Sequence, residues 1–332
     1  MKEQNVAIAG ATGAVGTELI KVLENRNFPV KNLKLLASKR SVGTPLTFKG
    51  ETIKVEELTH DSFKGVDIAL FSAGGGRSKE FAKSVVDSGA VMVDNSSAFR
   101  MDPEVPLVTP EVNPEDIKWH KGIIANPNCS TIIMIVPVFP IYKLSKIKRI
   151  VVSTYQAASG AGAKAMQELV DQSKAILEGK EVVKEALPHQ IAFNLFLHDS
   201  DLDMETGYCT EETKMIKETH KMFHDDSIRI TANTVRVGAL RAHSEYINIE
   251  LEDKLEIPTI IKTLEKAPGI KLVNDWKNNH FPMPIEASEQ DDVLVGRIRH
   301  DLSCDHCIEM FVSGDQLLKG AALNAVQIAE LL

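Results

Sequence analysis

The fold is decided by residues 6–16, Val6-Ala7-Ile8-Ala9-Gly10-Ala11-Thr12-Gly13-Ala14-Val15-Gly16. A short apolar run, typical of a buried strand, leads directly into a glycine turn, and the amphipathic segment from Thr17 to Asn25 is predicted to be a helix. This order is typical of a dinucleotide-binding fold, in which the glycines let a pyrophosphate approach the backbone at the helix N-terminus. The spacing is G-x-x-G-x-x-G rather than the commoner G-x-G-x-x-G, so a purely structural glycine turn remains the alternative.

The end of the second predicted strand indicates which dinucleotide binds. The strand from Leu33 to Ala37 is followed by Ser38-Lys39-Arg40-Ser41-Val42-Gly43. An NAD-binding fold usually carries Asp or Glu here for the ribose 2′-hydroxyl, whereas hydroxyls and cations favour the 2′-phosphate of NADP. A solvated basic loop is the alternative. A later strand, Asp67 to Phe71, ends in Ser72-Ala73-Gly74-Gly75-Gly76, which we interpret as a second close approach to the cofactor.

The pattern changes after residue 128, where longer predicted strands alternate with helices, including strands at 146–158, 228–237 and 243–251 and helices at 163–177 and 211–224. This order favours an α+β domain with a mostly antiparallel or mixed sheet. We therefore expect an α/β protein with two domains. Residues 1–128 form a Rossmann-type NADP-binding domain, completed by an amphipathic C-terminal helix at 314–332, and residues 129–313 form a catalytic and dimerisation domain.

Composition excludes several classes of function. The 332-residue chain is 43% hydrophobic and 25% charged, as expected for a globular protein, and its formal net charge of −8 argues against nonspecific nucleic-acid binding. No stretch reaches the roughly 18 to 20 apolar residues that span a bilayer, and no signal-peptide core precedes the first strand. We expect a cytoplasmic protein with a small-molecule substrate and no membrane or nucleic-acid partner.

Cys129 is the candidate nucleophile. It lies in Asn126-Pro127-Asn128-Cys129-Ser130-Thr131, where a turn precedes two hydroxyl residues suited to the first turn of a helix. A helix N-terminus favours thiolate over thiol, and a thiolate attacks acyl carbon. An ordinary buried cysteine is the alternative. Pro137 and Pro140 should kink or stop the helix that follows.

The remaining cysteines do not predict a metal site or a disulfide framework, because the four in the chain are few and unevenly spaced. Cys304-Asp305-His306-Cys307 has zinc-knuckle spacing, but the chain has no second pair of this kind, so we expect a plain hairpin turn.

Taken together, these motifs resemble aspartate-β-semialdehyde dehydrogenase. The resemblance covers essentially the whole chain in the family's order. It is carried by GATGAVG from Gly10, SKRSVG from Ser38, SSAFR ending at Arg100, NPNCST around Cys129, STYQAASGAG from Ser153, EETK from Glu211, RVGALRAHSE from Arg236 and KGAALNAVQIAELL at the C-terminus. Where the family commonly has Gln after Cys-Ser-Thr-Ile, this chain has Ile133.

The resemblance implies NADPH-dependent reduction of L-aspartyl 4-phosphate to L-aspartate 4-semialdehyde in lysine, threonine and methionine biosynthesis, by a homodimer or a dimer of dimers. It implies that Cys129 forms an acyl-thioester and that His243 is the acid/base. It further implies that Gln156 positions the substrate, Arg236 binds its carboxylate and Glu211 its amino group, and that Arg100 and Lys214 bind phosphate. Arg241 has no implied role, and we treat it as a surface or ion-pair residue.

The predicted cofactor-binding residues are Gly10, Thr12, Gly13, Ala14, Val15, Ser38, Arg40, Ser41, Ser72, Gly74, Ser159, Gly160, Gln316 and Asn324. Two other functions remain open at this stage. One is N-acetyl-γ-glutamyl-phosphate reductase, which uses the same covalent chemistry but typically has Pro-Gly-Cys at the nucleophile. The other is a noncatalytic NADP-sensing protein, against which the presence of Cys129, Gln156 and His243 argues.

Overall fold

The computed structural model describes residues 2–332 and divides the chain into two compact units. One unit comprises the chain up to Asn128 together with Ala321–Leu332, and the other comprises Cys129–Gly320. Among the described residues, no helix has both the length and the apolar character needed to cross a membrane.

The first unit is built on a six-stranded sheet in the order β5-β2-β1-β6-β7-β8, in which every pairing is parallel. Strands β3 and β4 form a separate antiparallel hairpin. The elements are β1 (Gln4–Ala9), α1 (Ala14–Asn25), β2 (Val30–Ala37), β3 (Pro45–Phe48), β4 (Glu51–Lys54), β5 (Glu56–Glu57), β6 (Ile68–Phe71), α2 (Gly75–Asp87), β7 (Val91–Asp94) and β8 (Ile123–Ala125).

The connection pattern of this sheet places a crevice at its centre. The chain leaves β1 on one side toward β2 and returns to β6 on the other side. Ligands of open α/β sheets bind at such a switch point, beyond the carboxyl ends of the strands. Gly10 and Ser72 follow the two strands that flank it. The arrangement confirms the predicted Rossmann-type sheet.

The second unit contains a seven-stranded sheet in the order β10-β11-β9-β12-β15-β14-β13. Strand β11 is parallel to β9 and β13 is parallel to β14, and the other pairings are antiparallel, so the sheet is mixed, as predicted. The elements are α3 (Cys129–Tyr142), β9 (Ile147–Gln156), α4 (Ala163–Leu177), β10 (Leu195–Leu197), α5 (Thr210–Phe223), β11 (Arg229–Val237), β12 (His243–Leu251), α6 (Ile257–Leu264), β13 (Ile270–Leu272), α7 (Pro284–Ala287), β14 (Val293–His300) and β15 (Cys307–Gly314).

Helix α3 begins at Cys129, so the thiol lies at a helix N-terminus as predicted, but the helix does not stop at its prolines. It continues through Pro137 and Pro140 to Tyr142, and all residues from Ser130 to Val138 are buried. Each interior proline costs about 3 kcal/mol of helix stability. The expectation of a stop was wrong because burial of an apolar helix on all sides outweighs this cost, and the expected kink stays a prediction.

The C-terminal segment also differs from its prediction. Gly314 ends β15, a π-helical turn covers Leu318–Ala322, and the last helix, α8, spans only Leu323–Glu330. The segment is buried on nearly every face rather than amphipathic. The hydrophobic spacing of a short helix does not distinguish one buried face from complete burial.

A disulfide links Cys304 to Cys307 within the β14–β15 hairpin. The predicted hairpin turn is confirmed, but the disulfide between its two cysteines was not predicted. Their Cα atoms lie 5.2 Å apart, within the range that a disulfide requires, because the tight turn returns the chain toward itself.

Candidate active site

Cys129 is the first residue of α3 and is partly exposed, whereas the other free cysteine, Cys209, is buried. The start of α3 is attached to strand β9, because Gln156 Nε2 at the end of that strand donates a hydrogen bond of 2.6 Å to Ser130 Oγ. The thiol therefore combines access to solvent with a fixed backbone at a helix N-terminus. This environment suits a reactive cysteine better than a structural one.

Gly320 lies directly against Cys129, the candidate nucleophile. A Cβ atom at this position would lie 2.8 Å from Cys129 Cβ and 3.3 Å from Gln316 Cβ. Gln316 is buried, accepts a hydrogen bond of 2.9 Å from the Ala242 N–H and donates another to Ser159 Oγ. Both ends of the Gln316 amide therefore make contacts within the second unit, and its predicted role in cofactor binding stays a prediction.

His243 is completely buried at the start of β12. Its Nδ1 accepts a hydrogen bond of 3.0 Å from the Ala157 N–H, so the proton of the neutral ring lies on Nε2. Nε2 has no hydrogen-bond partner within residues 2–332. Burial and the positive charge of Arg236 lower the pKa of His243 to about 3. The ring is therefore neutral near pH 7 and presents an unused N–H donor.

Gly160 leaves space beside this donor. A Cβ atom on Gly160 would lie 3.0 Å from both Cε1 and Nε2 of His243, and 3.2 Å from Arg236 Nη1. Any residue with a side chain would fill this space. The backbone at Gly160 thus borders the His243 imidazole and the Arg236 guanidinium at once.

Arg236 lies on β11 and is 3% exposed. Its Nη2 donates to His198 Nε2 at 2.9 Å and to Asp199 Oδ1 at 3.0 Å, whereas its Nε finds no acceptor in the described chain. Burial opposes the charged form of Asp199, but the hydrogen bond and charge of Arg236 outweigh it and lower the pKa of Asp199. A buried guanidinium with a free N–H group can bind an anionic ligand.

Glu211 and Lys214 lie in the first turns of α5. Glu211 Oε1 accepts a hydrogen bond of 3.2 Å from Gln156 Nε2, and Glu211 Oε2 forms an ion pair with Lys214 Nζ at 3.1 Å. Oε1 of Gln156 is buried and lacks a hydrogen-bond partner among residues 2–332. Glu211 and Lys214, three positions apart on one face of α5, thus form an ion pair, and Gln156 connects this pair to the turn that carries Cys129.

Glu245 is a buried carboxyl group that sequence reasoning did not single out. It is completely buried on β12, two residues beyond His243, and neither carboxyl oxygen has a hydrogen-bond partner in the part of the chain described. Burial and the negative charge of Glu211 raise its pKa well above the ordinary value. Both effects favour the protonated, neutral form of the Glu245 carboxyl group.

In the first unit, the glycine turn has the backbone that a dinucleotide requires. Gly10 has φ = +88°, and a Cβ there would lie 2.2 Å from Ser72 O. A Cβ on Gly16 would lie 2.1 Å from Gly10 O, so only glycine fits either position. Helix α1 begins after Gly13, and no side chain of the described residues forms a capping hydrogen bond at its N-terminus. Its first N–H groups can therefore meet a phosphate.

The predicted ribose-phosphate loop follows β2. Lys39–Ser41 form a short 3-10 turn, Arg40 is exposed, and Ser41 Oγ lies 3.4 Å from Thr12 Oγ1 of the glycine turn. The hydroxyl and cationic residues of this loop thus lie beside the turn predicted to hold the pyrophosphate. Beyond β6, Gly74 has φ = +88° and open space where a Cβ would be.

Arg100 and Asn324 make extensive contacts inside the first unit. Arg100 Nε donates to Asn126 O and Nη2 to Asn95 O, both at 2.9 Å. Asn324 is buried and donates to Val108 O at 3.0 Å and to Asn126 Oδ1 at 2.7 Å. These contacts hold the chain that leads into the cysteine turn. The predicted roles of Arg100 in phosphate binding and of Asn324 in cofactor binding stay predictions.

The structure thus groups the predicted residues by unit. The second unit holds Cys129, Gln156, Ser159, Gly160, Glu211, Lys214, Arg236, His243 and Gln316, and the first holds Gly10, Thr12, Gly13, Ala14, Val15, Ser38, Arg40, Ser41, Ser72, Gly74, Arg100 and Asn324. Sequence reasoning missed Ser130, His198, Asp199, Glu245 and Gly320 as members of this environment. Of these, Gly320 alone carried a usable signal, a glycine inside a predicted helix.

Comparison with known proteins agrees with this arrangement. The family model "Semialdehyde dehydrogenase, NAD binding domain" matches residues 5–120, and "Semialdehyde dehydrogenase, dimerisation domain" matches residues 138–319. The chain is 57% identical to an aspartate-semialdehyde dehydrogenase of Synechocystis sp., over 98% of this chain and 96% of that protein. It is 55% identical to the aspartate-semialdehyde dehydrogenase of Aquifex aeolicus, over 98% of this chain and 97% of that protein.

Solved structures agree as well. Aspartate semialdehyde dehydrogenase II from Vibrio cholerae, in a crystal structure complexed with ASA, superimposes with a TM-score of 0.97 at 44% identity, covering 100% of this chain and 98% of that one. Fold, full-length identity and the order of motifs therefore confirm the resemblance inferred from the sequence. The chain belongs to the aspartate-semialdehyde dehydrogenase family.

Proposed function

We propose that this chain catalyses the NADPH-dependent reductive dephosphorylation of L-aspartyl 4-phosphate to L-aspartate 4-semialdehyde, through an acyl-thioester on Cys129. The proposal is carried by two groups of residues in the second unit that are linked because Gln316, beside Cys129, donates a hydrogen bond to Ser159, the neighbour of Gly160. There, a partly exposed cysteine begins a helix, and the His243 N–H donor and the Arg236 guanidinium both border Gly160. The names of the full-length relatives support the same activity.

The cysteine is needed because a carboxylate is too stable to accept hydride. The Cys129 thiolate attacks the acyl carbon of the acyl phosphate, a carbon–sulfur bond forms, and inorganic phosphate leaves with the electrons of the carbon–oxygen bond. The resulting thioester carbonyl is electrophilic enough to be reduced. Backbone N–H groups in the first turn of α3 are suited to stabilise the negative oxygen.

His243 acts on that oxygen as a donor. Because Nδ1 accepts from the Ala157 N–H, Nε2 carries the proton of the neutral ring. The Nε2–H group stabilises the oxyanion that forms after hydride addition, and collapse of this oxyanion expels the Cys129 thiolate and releases the aldehyde. The pKa of about 3 keeps the ring in this neutral, donating form throughout the neutral range.

The residues of the first unit fit NADP. When bound, the reduced cofactor supplies the hydride. The backbone of Gly10 and Gly13 and the uncapped start of α1 suit its pyrophosphate. Ser38, Arg40 and Ser41 suit a ribose 2′-phosphate, because the loop after β2 carries hydroxyls and cations where an NAD enzyme usually has an acidic residue.

Substrate recognition is assigned to the second unit. Arg236 binds the α-carboxylate through the N–H groups that His198 and Asp199 leave free. Glu211 attracts the α-amino group, and Gln156, whose Oε1 lacks a partner within residues 2–332, orients the substrate beside Cys129. The phosphate-binding roles implied for Arg100 and Lys214 stay predictions.

We further propose that the enzyme works as a homodimer in the pathway to lysine, threonine and methionine. The description of the family model over residues 138–319 as a dimerisation domain supports the assembly. Residues 1–128 with the C-terminal helix are proposed as the cofactor domain. Neither an N-acetyl-γ-glutamyl-phosphate reductase nor a noncatalytic sensor is favoured by the comparisons.

The test is the reverse reaction with purified protein. Aspartate semialdehyde, phosphate and NADP should give a rise in NADPH absorbance, with slower turnover on NAD or on N-acetylglutamate semialdehyde. Cys129→Ala should abolish the signal, whereas Cys209→Ser, at a buried cysteine, should retain it. Mass spectrometry of protein mixed with the acyl phosphate in the absence of NADPH should locate the acyl group on Cys129. An adduct on a different residue, or activity in Cys129→Ala, contradicts the mechanism.

A further inference from the structure

The orientation of Arg236 depends on a residue to which the proposed mechanism assigns no role. The Nη2 group of Arg236 makes two contacts, with Nε2 of His198 at 2.9 Å and with Oδ1 of Asp199 at 3.0 Å. The side chain of His198 is 12% exposed and that of Asp199 is 24% exposed. Two acceptors therefore occupy one end of the guanidinium, and both come from the segment that follows β10.

The backbone of His198 is fixed relative to Arg236. Strand β10 pairs antiparallel with β11, and Phe196 lies opposite Arg236 in the register. The His198 N–H continues this ladder with a hydrogen bond of 2.9 Å to Thr234 O. The imidazole is therefore attached to the strand that carries the arginine, which preorganises the contact between them.

The contact also defines the protonation state of His198. An arginine side chain donates but cannot accept, so Nε2 must be the acceptor and the proton of the neutral ring lies on Nδ1. Nδ1 lies 3.1 Å from Ser200 Oγ and 3.2 Å from the Ser200 backbone nitrogen. The Ser200 N–H is directed at Nδ1, which by itself favours a proton on Nε2. The charge-assisted bond from Arg236 is shorter and stronger, so we assign the proton to Nδ1, where it faces the Ser200 hydroxyl.

We propose that His198 is a positioning residue: as a neutral acceptor it holds Arg236 so that its Nε–H and Nη1 groups remain available to the carboxylate of the substrate. The inference rests on the proposed role of Arg236 as the carboxylate-binding residue. Asp199 supplies a second acceptor for the same Nη2 group and is the more exposed of the two, so His198 is the restraint that is better shielded from water.

Protonation of His198 would remove this function, because Nε2–H would then face an N–H donor and a second positive charge. The charged and titratable groups around His198 are Arg236 on β11, Glu211 and Lys214 on α5, the neighbouring Asp199, and His243 on β12. Burial is the main reason why the pKa of His198 lies below the ordinary value of 6.5. The acceptor is therefore present at neutral pH and is lost as the pH falls through this lowered pKa.

The test compares His198→Gln with His198→Leu by steady-state kinetics of the reverse reaction in the purified full-length enzyme. A glutamine can place its carbonyl oxygen near the position of Nε2 and keep the acceptor, whereas leucine removes it. We expect His198→Leu to raise the KM for aspartate semialdehyde about tenfold, the effect of losing one hydrogen bond to a charged group, with little change in kcat or in the KM for NADP. His198→Gln should restore most of the affinity. His189→Leu, at an exposed histidine of the same segment, is the matched control. Because leucine keeps an apolar contact with Phe196, this variant should match wild type.

The pH profile provides a readout that a purely structural role would not change. In wild type, the KM for aspartate semialdehyde should rise on the acidic side, and His198→Gln should lose this rise because an amide does not titrate there. An unchanged KM in folded His198→Leu, or an acidic rise that persists in His198→Gln, overturns the inference while the proposed function stands. If wild type itself shows no phosphate- and NADP-dependent activity, the proposed function fails instead.

Discussion

Gly160→Ala is the substitution whose effect on catalysis can be worked out most directly from the structure. Gly160 lies in the short 3-10 turn Ala158–Ala161, and its φ is not positive, so alanine is compatible with the backbone. The added methyl carbon would lie 3.0 Å from two atoms of the His243 ring and 3.2 Å from Arg236 Nη1. The perturbation is therefore one methyl group in the space that the substrate is proposed to use.

The expected magnitude follows from these distances. A Cβ contact of 3.0 Å is tight enough that a neighbour must move by a few tenths of an ångström. The His243 ring resists this movement because Nδ1 is bonded to the Ala157 N–H. A displacement of about 1 Å at a reacting group can cost about a hundredfold, and the shift here is a few tenths of an ångström, so we expect kcat/KM to fall by up to roughly tenfold, or ~1.4 kcal/mol of transition-state stabilisation. The free energy of unfolding should fall by only about 1 to 2 kcal/mol, as for mild overpacking.

The assay is the initial rate of NADPH formation as a function of aspartate semialdehyde and, separately, of NADP. A rise in the KM for the aldehyde places the methyl group against the substrate, whereas a rise in the KM for NADP supports the predicted contact of Gly160 with the cofactor. Ala161→Ser, which adds one atom to an exposed neighbour in the same turn, is the control and should retain wild-type rates.

Wild-type values of both KM and kcat in a folded Gly160→Ala variant would refute the reasoning. Such a result would mean that neither substrate nor cofactor uses the space bordered by His243 and Arg236. A urea titration of the same sample separates lost activity from lost folding.

Two further predictions concern buried charge. Because the folded-state pKa of Glu245 is raised by burial and by Glu211, wild type should lose stability as the pH rises above the ordinary glutamate value, by up to about 1.4 kcal/mol per pH unit. Glu245→Gln should remove this slope in urea titrations at several pH values, and parallel curves for the two proteins would contradict the assignment. Arg241→Met should lower the free energy of unfolding by about 3 kcal/mol, because Arg241 Nε lies 2.6 Å from the fully buried Asp315. Arg229→Met, at an exposed ion pair, should cost less than about 1 kcal/mol in the same urea titration, and equal losses in the two variants would argue against a buried pair.

Much of the fold could be predicted from the sequence because it is encoded locally. Helix α4 and strand β12 have the bounds that their hydrophobic spacing predicts, Ala163–Leu177 and His243–Leu251. The glycine turn after β1 is local in the same sense, since the need for a backbone without side chains is visible in the residues themselves. The position of Cys129 at the first residue of α3 follows from the turn and hydroxyl residues around it.

Contacts between distant segments were decided only by the tertiary structure. Helix α3 passes through Pro137 and Pro140 because the rest of its unit buries it, and that burial is not visible in a local window. His198 reaches Arg236 because β10 pairs with β11, although the two residues are 38 positions apart. The hydrophobic pattern of the chain determined which segments form strands and helices, and the turn and hydroxyl residues around Cys129 indicated the candidate nucleophile. Which side chains meet around that nucleophile, and which of them are neutral, depended on strand pairing and burial, because hydrogen bonds and desolvation act between residues that only the folded chain brings together.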